Sequence, residues 1–258
     1  MKPVLIKIFG LNVYGYGLMI ALGIIVAMSI LSRKAKSKGY NEDSIFNMTI
    51  LAVICGILGG KILYIITEFS DIVKDPSKIL IEFGNGFVIY GAIIGGAIGV
   101  YLYCRKKSWS FLDIFDMVVP GVAIAQGFGR IGCFLAGCCY GAETTSKLSV
   151  VFPDDSLSLA PAGVHLHPTQ IYSSIFDFLL GLFLIWYSRK TDKKGRIFSL
   201  YLIIYSIGRF LVEIIRNDPR GNVGNLTTSQ FIAIFTLALG IILYNVDKFK
   251  GRLLKSEN

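Results

Sequence analysis

The chain has 258 residues, of which 53% are hydrophobic and only 17% are charged. Because soluble domains carry about 25% charged residues, this composition excludes an ordinary water-soluble domain, a disordered chain and a nucleic-acid-binding module. The formal net charge is +9. In so apolar a chain, such an excess of basic residues is typically located in the cytoplasmic loops of a membrane protein. Five cysteines, an odd number, argue against a secreted disulfide scaffold. We therefore expect an all-α integral membrane protein.

Seven apolar runs are long enough to cross a bilayer as helices, which takes about 20 residues. The fourth run is the weakest because Pro120 interrupts it. The first run lacks a basic segment before it and a cleavage site after it, so we expect it to remain in the protein. The expected spans are Leu11–Leu31, Ser44–Ile66, Gly86–Cys104, Asp113–Phe128, Thr169–Tyr187, Ile197–Ile215 and Ser229–Val246. Together they predict a single polytopic membrane domain over residues 1–258.

Basic residues collect in four connections, at residues 33–38, 105–107, 189–196 and 248–255. Loops rich in lysine and arginine stay on the cytoplasmic side, so the N-terminus is expected outside and the C-terminus in the cytoplasm. The longest connection, residues 129–168, then lies on the outer face. Its composition predicts a small irregular or β-rich head segment.

Four ionisable residues lie within or at the ends of apolar runs: Lys61, Arg130, Arg209 and Glu213. A charge at membrane depth is costly and should face a partner or a wet cavity. Arg209 and Glu213 are four residues apart and share a helix face. One interpretation is a structural ion pair inside the bundle. The other is that the cations of this group converge to bind an anion, for which a phospholipid headgroup is the obvious candidate.

Glycines recur every fourth residue at Gly91, Gly95 and Gly99. This spacing places them on one helix face and is typical of close helix packing in lipid. A phosphate-binding loop would need a preceding strand, which the surrounding sequence lacks. We therefore interpret the glycines as a packing surface.

Four motifs follow one another along the chain: YGYGLM at residues 14–19, GRIGCFLAGCCYG at 129–141, HPTQIY at 167–172 and YSIGRFLVEIIR at 205–216. In this order they resemble the phosphatidylglycerol–prolipoprotein diacylglyceryl transferase family, over about residues 14–246. The resemblance implies a bacterial cell-membrane enzyme without a cofactor. Its substrates would be phosphatidylglycerol and the lipobox cysteine at the signal peptide of a prolipoprotein. It would move a diacylglyceryl group onto that thiol and release glycerol phosphate.

The resemblance also implies which residues act. Arg130 and Arg209 match the arginines of the family, and a guanidinium stays charged and offers a planar fork to phosphate oxygens. Glu213 and Arg216 would orient Arg209 or line the headgroup pocket. Two further residues match family positions near the cavity, Tyr16 and Gln170.

The chain departs from the family pattern at five polar positions. Tyr90 stands in place of a histidine, and the ordinary pKa values of these side chains, about 10 and 6.5, make histidine the better thiol base. Tyr90, the third candidate catalytic residue, would act as a base only if nearby arginines stabilised its anion, and otherwise as a hydrogen-bond donor. Lys61 replaces an arginine, Cys133 an asparagine, Cys138 a glutamate and Ser173 a glutamate.

The cysteines Cys133, Cys138 and Cys139 allow three interpretations. They are small buried replacements for polar residues, a reactive or disulfide-bonded thiol site near Arg130, or, together with a histidine, a zinc site. The Cys-x4-Cys-Cys spacing is not a standard zinc pattern, so we assign no metal. His167 is either a hydrogen-bonded structural residue or a substitute for the missing base.

Other classes of protein remain as alternatives. A protein with the same scaffold would handle phospholipids without catalysis if the departures abolish turnover, and a thiol-dependent membrane enzyme would use Cys133 and Cys138. Seven unequal spans without an inverted repeat argue against a solute transporter. The first two alternatives, like the transferase, have membrane lipids as partners.

Overall fold

A computed structural model of the protein describes residues 4–8, 11–75, 77, 86–154, 158–218 and 221–256. The helices are α1 (Gly15–Ser37), α2 (Glu42–Thr67), α3 (Phe69–Lys74), α4 (Ile89–Lys107), α5 (Phe111–Ala136), α6 (Thr169–Tyr187), α7 (Arg196–Ile215) and α8 (Thr228–Ser256). The strands are β1 (Val4–Ile8), β2 (Leu11–Tyr14), β3 (Val150–Val151), β4 (His165–Leu166), β5 (Asn222–Val223) and β6 (Leu226–Thr227). They form three antiparallel pairs, β1–β2, β3–β4 and β5–β6.

Among the described residues, six helices are long and apolar enough to cross a membrane: α1, α2, α5, α6, α7 and the Thr228–Val246 part of α8. The chain is a multi-pass membrane protein, and the expected all-α class is confirmed. The remaining expected span falls on α4, which is 19 residues long but ends in three basic residues. These charges lower its mean hydropathy, so α4 is not among the six.

Two expected boundaries were wrong. Residues Leu11–Tyr14 form a strand that pairs with β1, and the first helix starts after them. The fourth span continues to Ala136, so Arg130 and Cys133 are helical and do not lie in the connection. Pro120 does not break this helix, because proline removes one N–H while the other backbone groups keep their helical bonds where no water can replace them.

The chain forms two compact units, Met1–Leu31 with Phe115–Asn258, and Ser32–Ile114. Within the second unit, α2 packs against α4 through glycines. A side chain on Gly95 would overlap the carbonyl oxygen of Cys55, and one on Gly91 would overlap that of Gly59. The predicted small-residue packing surface is therefore confirmed.

In the first unit, α5, α6 and α7 share a hydrophobic core and polar contacts that fix their positions. Asp116 on α5 accepts hydrogen bonds from Gly195 N at 2.6 Å and Phe198 N at 2.7 Å, which caps the start of α7. Ser174 Oγ on α6 donates to Gly127 O on α5 at 2.9 Å. The buried core consists of Val119, Ala123, Leu180, Leu184 and Ile197.

The segment between α5 and α6 is small and contains only short strands, as expected; its residues 155–157 lie outside the described residues. Phe152, Ala160 and Leu166 form its core. Its backbone also bonds to the end of α7, because Ala142 N donates to Ile215 O at 2.8 Å. This segment therefore lies beside the C-terminal end of α7.

Candidate functional site

Three helices of the first unit line a small, partly open pocket. Arg130 on α5 and Arg209 on α7 both line it, although α6 lies between these helices in the chain. Its other polar side chains are Ser173 and Asp177 from α6 and Tyr205 from α7. A side chain in place of Gly208, which also lines the pocket, would overlap the ring of Phe176.

No described residue neutralises the Arg130 guanidinium by direct contact. Across the described ranges of the chain, Arg130 has no carboxylate within 4.0 Å and no side-chain hydrogen bond. Asp177 acts on it electrostatically from a greater distance. An arginine that lies inside an apolar protein and has no carboxylate in contact with its guanidinium is suited to bind an anion.

Asp177 is a functional candidate that sequence reasoning missed. It is 3% exposed and its charge acts on both Arg130 and Arg209. The signal was present in the sequence, because Asp177 is an acidic residue inside an apolar run and lies seven residues after Gln170, on the same helix face.

Arg209 is held by a polar network at the end of α7. Its Nη2 lies 3.0 Å from Glu213 Oε2 and donates to Ser229 Oγ at 2.8 Å. Glu213 is buried, accepts a hydrogen bond from Thr227 Oγ1 at 2.9 Å, and lies 3.9 Å from Arg216 Nη1. Glu213 therefore joins two arginines and fixes the one that enters the pocket.

Arg216 does not line the pocket. Its guanidinium forks onto Asp218, with Nε to Oδ1 at 2.5 Å and Nη2 to Oδ2 at 2.8 Å. Sequence reasoning missed Asp218, whose only signal is its position two residues after Arg216. The pair completes a row of alternating charges: Arg209, Glu213, Arg216 and Asp218.

Gln170 lies behind the cysteine-containing loop and does not line the pocket. It is 1% exposed, and its Nε2 donates to Cys138 O at 2.7 Å. Thr169 Oγ1 donates in the same way to Cys139 O at 2.7 Å. The first turn of α6 therefore holds the loop that follows α5.

The three clustered cysteines are brought together. Their Sγ atoms all lie within 4.8 Å of one another, and each of the five cysteines of the chain is a free thiol. Hydrogen bonds from Cys133 and Cys138, with the positive charges of Arg216 and Arg130, lower the pKa of the Cys139 thiol. The cluster is half-buried.

His167 and Tyr16 lie outside the pocket lining. His167 Nδ1 is 3.3 Å from Tyr172 OH, a contact within its own motif. Tyr16 is 44% exposed and packs beside Gly132, where an added side chain would meet its Cδ2 at 3.0 Å. Both residues belong to the unit that contains the pocket.

Lys61 and Tyr90 belong to the second unit. Lys61 Nζ donates to Gly86 O at 2.6 Å, which ties α2 to the chain that precedes α4. Tyr90 lies in the first turn of α4 and is half-buried.

Comparison with known proteins agrees with these features. The sequence model of one family, described as prolipoprotein diacylglyceryl transferase, matches residues 3–246. A phosphatidylglycerol–prolipoprotein diacylglyceryl transferase from Clostridium tetani is 62% identical over 97% of this chain and 99% of its own length. One from Clostridium perfringens is 64% identical over 98% of each chain, and one from Finegoldia magna is 33% identical over 100% of this chain and 99% of its own. The chain therefore belongs to the prolipoprotein diacylglyceryl transferase family.

Proposed function

We propose that the protein transfers the diacylglyceryl group of phosphatidylglycerol to the lipobox cysteine thiol of a prolipoprotein. A sulfur–carbon bond forms, the bond between the glyceryl carbon and the phosphate oxygen breaks, and glycerol phosphate leaves with the proton of the thiol. The observation that carries this proposal is the pocket that Arg130 and Arg209 share. Family membership supplies the reaction class.

In this proposal Arg130 and Arg209 are the catalytic residues that grip the phosphodiester. Negative charge builds on the phosphate as the carbon–oxygen bond breaks, and fixed cations stabilise such charge strongly in a site that excludes water. Arg130 is available because no carboxylate contacts it within the described residues. Glu213 positions Arg209, and Asp177 reduces the repulsion between the two arginines.

The pocket is proposed to face the outer half of a bacterial cell membrane, with the N-terminus outside and the C-terminus in the cytoplasm. The basic connection 189–196 separates α6 from α7, and positive loops remain cytoplasmic. Arg209 lies near the opposite end of α7, and Ser173 near the opposite end of α6. The pocket would then open toward phospholipids of the outer leaflet.

Further substrate contacts are proposed from the family pattern. Tyr90 and Lys61 match polar positions of that pattern, and in this proposal they take part in substrate binding as a hydrogen-bond donor and a positive charge, respectively. Gln170 would hold the loop that contains Cys138, and Arg216 would help to position Glu213. The residues 129–168 would form a head segment that meets the signal peptide of the prolipoprotein.

The test is a reaction of purified full-length protein with phosphatidylglycerol vesicles and a lipobox peptide, read by mass spectrometry. We expect a peptide whose mass rises by one diacylglyceryl group on sulfur. A peptide with serine in place of the cysteine, and vesicles of phosphatidylcholine alone, should give no product. Absence of product from protein that is helical by circular dichroism and binds phosphatidylglycerol would overturn the proposal.

A further inference from the structure

The three cysteines that follow the signature arginine have the geometry of a metal site. The Sγ atoms of Cys133, Cys138 and Cys139 lie within 4.8 Å of one another. Thiolates around a tetrahedral zinc ion at 2.3 Å stand about 3.8 Å apart, which is close to the spacing found here. The sequence left a zinc site as one of three interpretations, which the spacing did not favour, and the convergence is a finding of the structure.

The backbone holds the cysteines in place. Cys133 lies in the last turn of α5, and the chain then reverses through Gly137 and Cys139, which have φ values of +68° and +62°. A positive φ is strained for a residue other than glycine and persists where its surroundings enforce it. The side chains of Thr169 and Gln170 enforce it here, through hydrogen bonds to the two cysteine carbonyls.

The charges around the cluster suit thiolates. Arg216 and Arg130 act electrostatically on Cys139, and Arg130 also acts on Cys133. Three thiolates and one Zn²⁺ carry one net negative charge, which these arginines offset. Because Arg130 also lines the pocket, the cluster lies next to the proposed phosphate site.

Within the described residues the cluster supplies three ligands. No histidine, aspartate or glutamate joins it within the part of the chain that the structure describes. Structural zinc sites are closed by four protein ligands, whereas catalytic sites use three and leave the fourth position to water or substrate. The three cysteines are half-buried and not fully enclosed, as an open fourth position requires.

We propose that Cys133, Cys138 and Cys139 bind Zn²⁺ through three thiolates and that the fourth position takes the thiol of the acceptor peptide. The proposal rests on the transferase function proposed above. A thiol that coordinates zinc loses its proton, and the resulting thiolate attacks the glyceryl carbon of the lipid. The carbon–oxygen electron pair leaves with the phosphate, which takes up the released proton. The metal would thus perform the deprotonation for which Tyr90 is poorly suited.

The first test is metal analysis of full-length protein purified in detergent under reducing conditions. We expect about one zinc ion per chain, and on replacement by Co²⁺ an intense thiolate-to-cobalt charge-transfer absorption. Both signals should disappear in the variant Cys133→Ser, Cys138→Ser, Cys139→Ser. They should persist in the matched control Cys55→Ser, Cys104→Ser, which changes the two cysteines outside the cluster.

The cobalt absorption of the unaltered protein tests the metal site without any variant. The test therefore remains valid if the triple variant fails to fold. A disulfide among the three cysteines, or zinc that remains in a folded triple variant, would overturn the proposal.

The second test separates this inference from the proposed function. Removal of the metal by a chelator should lower thioether formation by at least about a hundredfold, and added zinc should restore it. Full activity in metal-free protein would overturn the zinc site and leave the transferase intact. Bound zinc without any transfer in the peptide assay would instead overturn the transferase function.

Discussion

Arg209 and Glu213 form an ion pair one turn apart on α7, with 3.0 Å between Nη2 and Oε2, while Arg209 also lines the pocket that Arg130 reaches. The sequence left two interpretations open, a structural ion pair or a cation for an anionic ligand. In the structure Arg209 is part of both arrangements. Glu213 is a positioning residue, since it contacts the arginine and does not line the pocket.

We predict that Glu213→Ala lowers both stability and activity. The Glu213 side chain is fully buried between two arginines, and removing one partner of a buried ion pair costs about 3–5 kcal/mol. Thermal unfolding in detergent measures this cost. Glu213→Gln, which keeps the acceptor for Thr227, should lose less stability.

The matched control for Glu213 is Asp71→Ala, which removes an exposed ion pair with Lys74 on α3. Exposed pairs contribute less than about 1 kcal/mol, so this variant should unfold almost as the unaltered protein does. Equal losses in the two variants would contradict the positioning role of Glu213.

Arg130→Ala should lower kcat/KM for phosphatidylglycerol by about 10²–10³, the usual cost of removing one donor to developing charge. Because Arg130 has no ion pair across the described ranges, the unfolding temperature should change little. Arg130→Lys keeps the charge but loses the planar fork. Its activity should therefore fall between that of the unaltered protein and that of Arg130→Ala. A variant that keeps full activity would contradict the proposed grip on the phosphodiester.

Gly95→Ala should destabilise the packing of α2 against α4 by about 1–3 kcal/mol, because the new methyl group overlaps the carbonyl oxygen of Cys55. Gly17→Ala is the matched control on α1, since nothing lies within 4 Å of the added atom. Its stability should be unchanged or slightly higher, because alanine favours helix more than glycine does. Thermal unfolding of both variants checks the difference; equal stabilities would show that the close approach is unimportant.

Tyr40, in the connection between α1 and α2, should make stability depend on alkaline pH. It donates a 2.7 Å hydrogen bond to Asp113 Oδ2, and the same carboxylate pairs with Lys38. Burial first, and then this hydrogen bond and the charge of Asp113, raise the pKa of Tyr40 above its usual value. A group with a raised pKa in the folded state contributes fully below its unfolded pKa, about 10, and loses that contribution as the pH rises further.

Tyr40→Phe should therefore be less stable than the unaltered protein by about 1 kcal/mol near pH 8, and this difference should shrink above about pH 10. Unfolding curves over a pH series measure it. Tyr14→Phe, which alters an exposed tyrosine of β2, should show no such dependence. A difference that stays constant up to about pH 11 would contradict the assignment.

The sequence predicted those residues of the candidate site whose charge is energetically unfavourable inside a membrane-spanning segment. Arg130, Arg209 and Glu213 stand out because charge inside an apolar run needs a reason. Asp177 went unnoticed although the same argument applies to it. The end of α5 was placed too early, because Pro120 and the glycines around it weaken a helix in water but do so less where no solvent competes for backbone hydrogen bonds.

The sequence by itself determined the membrane class, the approximate spans, the glycine packing surface and the family, since these depend on composition, periodicity and motif order. Only the tertiary structure decided that Arg130 and Arg209 share one pocket, that Asp177 lies with them, and that the sulfurs of Cys133, Cys138 and Cys139 converge. These contacts involve residues on different helices and in a turn where Cys139 has a positive φ. The physical reason is that helical spacing fixes which face a residue occupies on its own helix, whereas the angle and depth at which helices meet depend on packing summed over the whole chain.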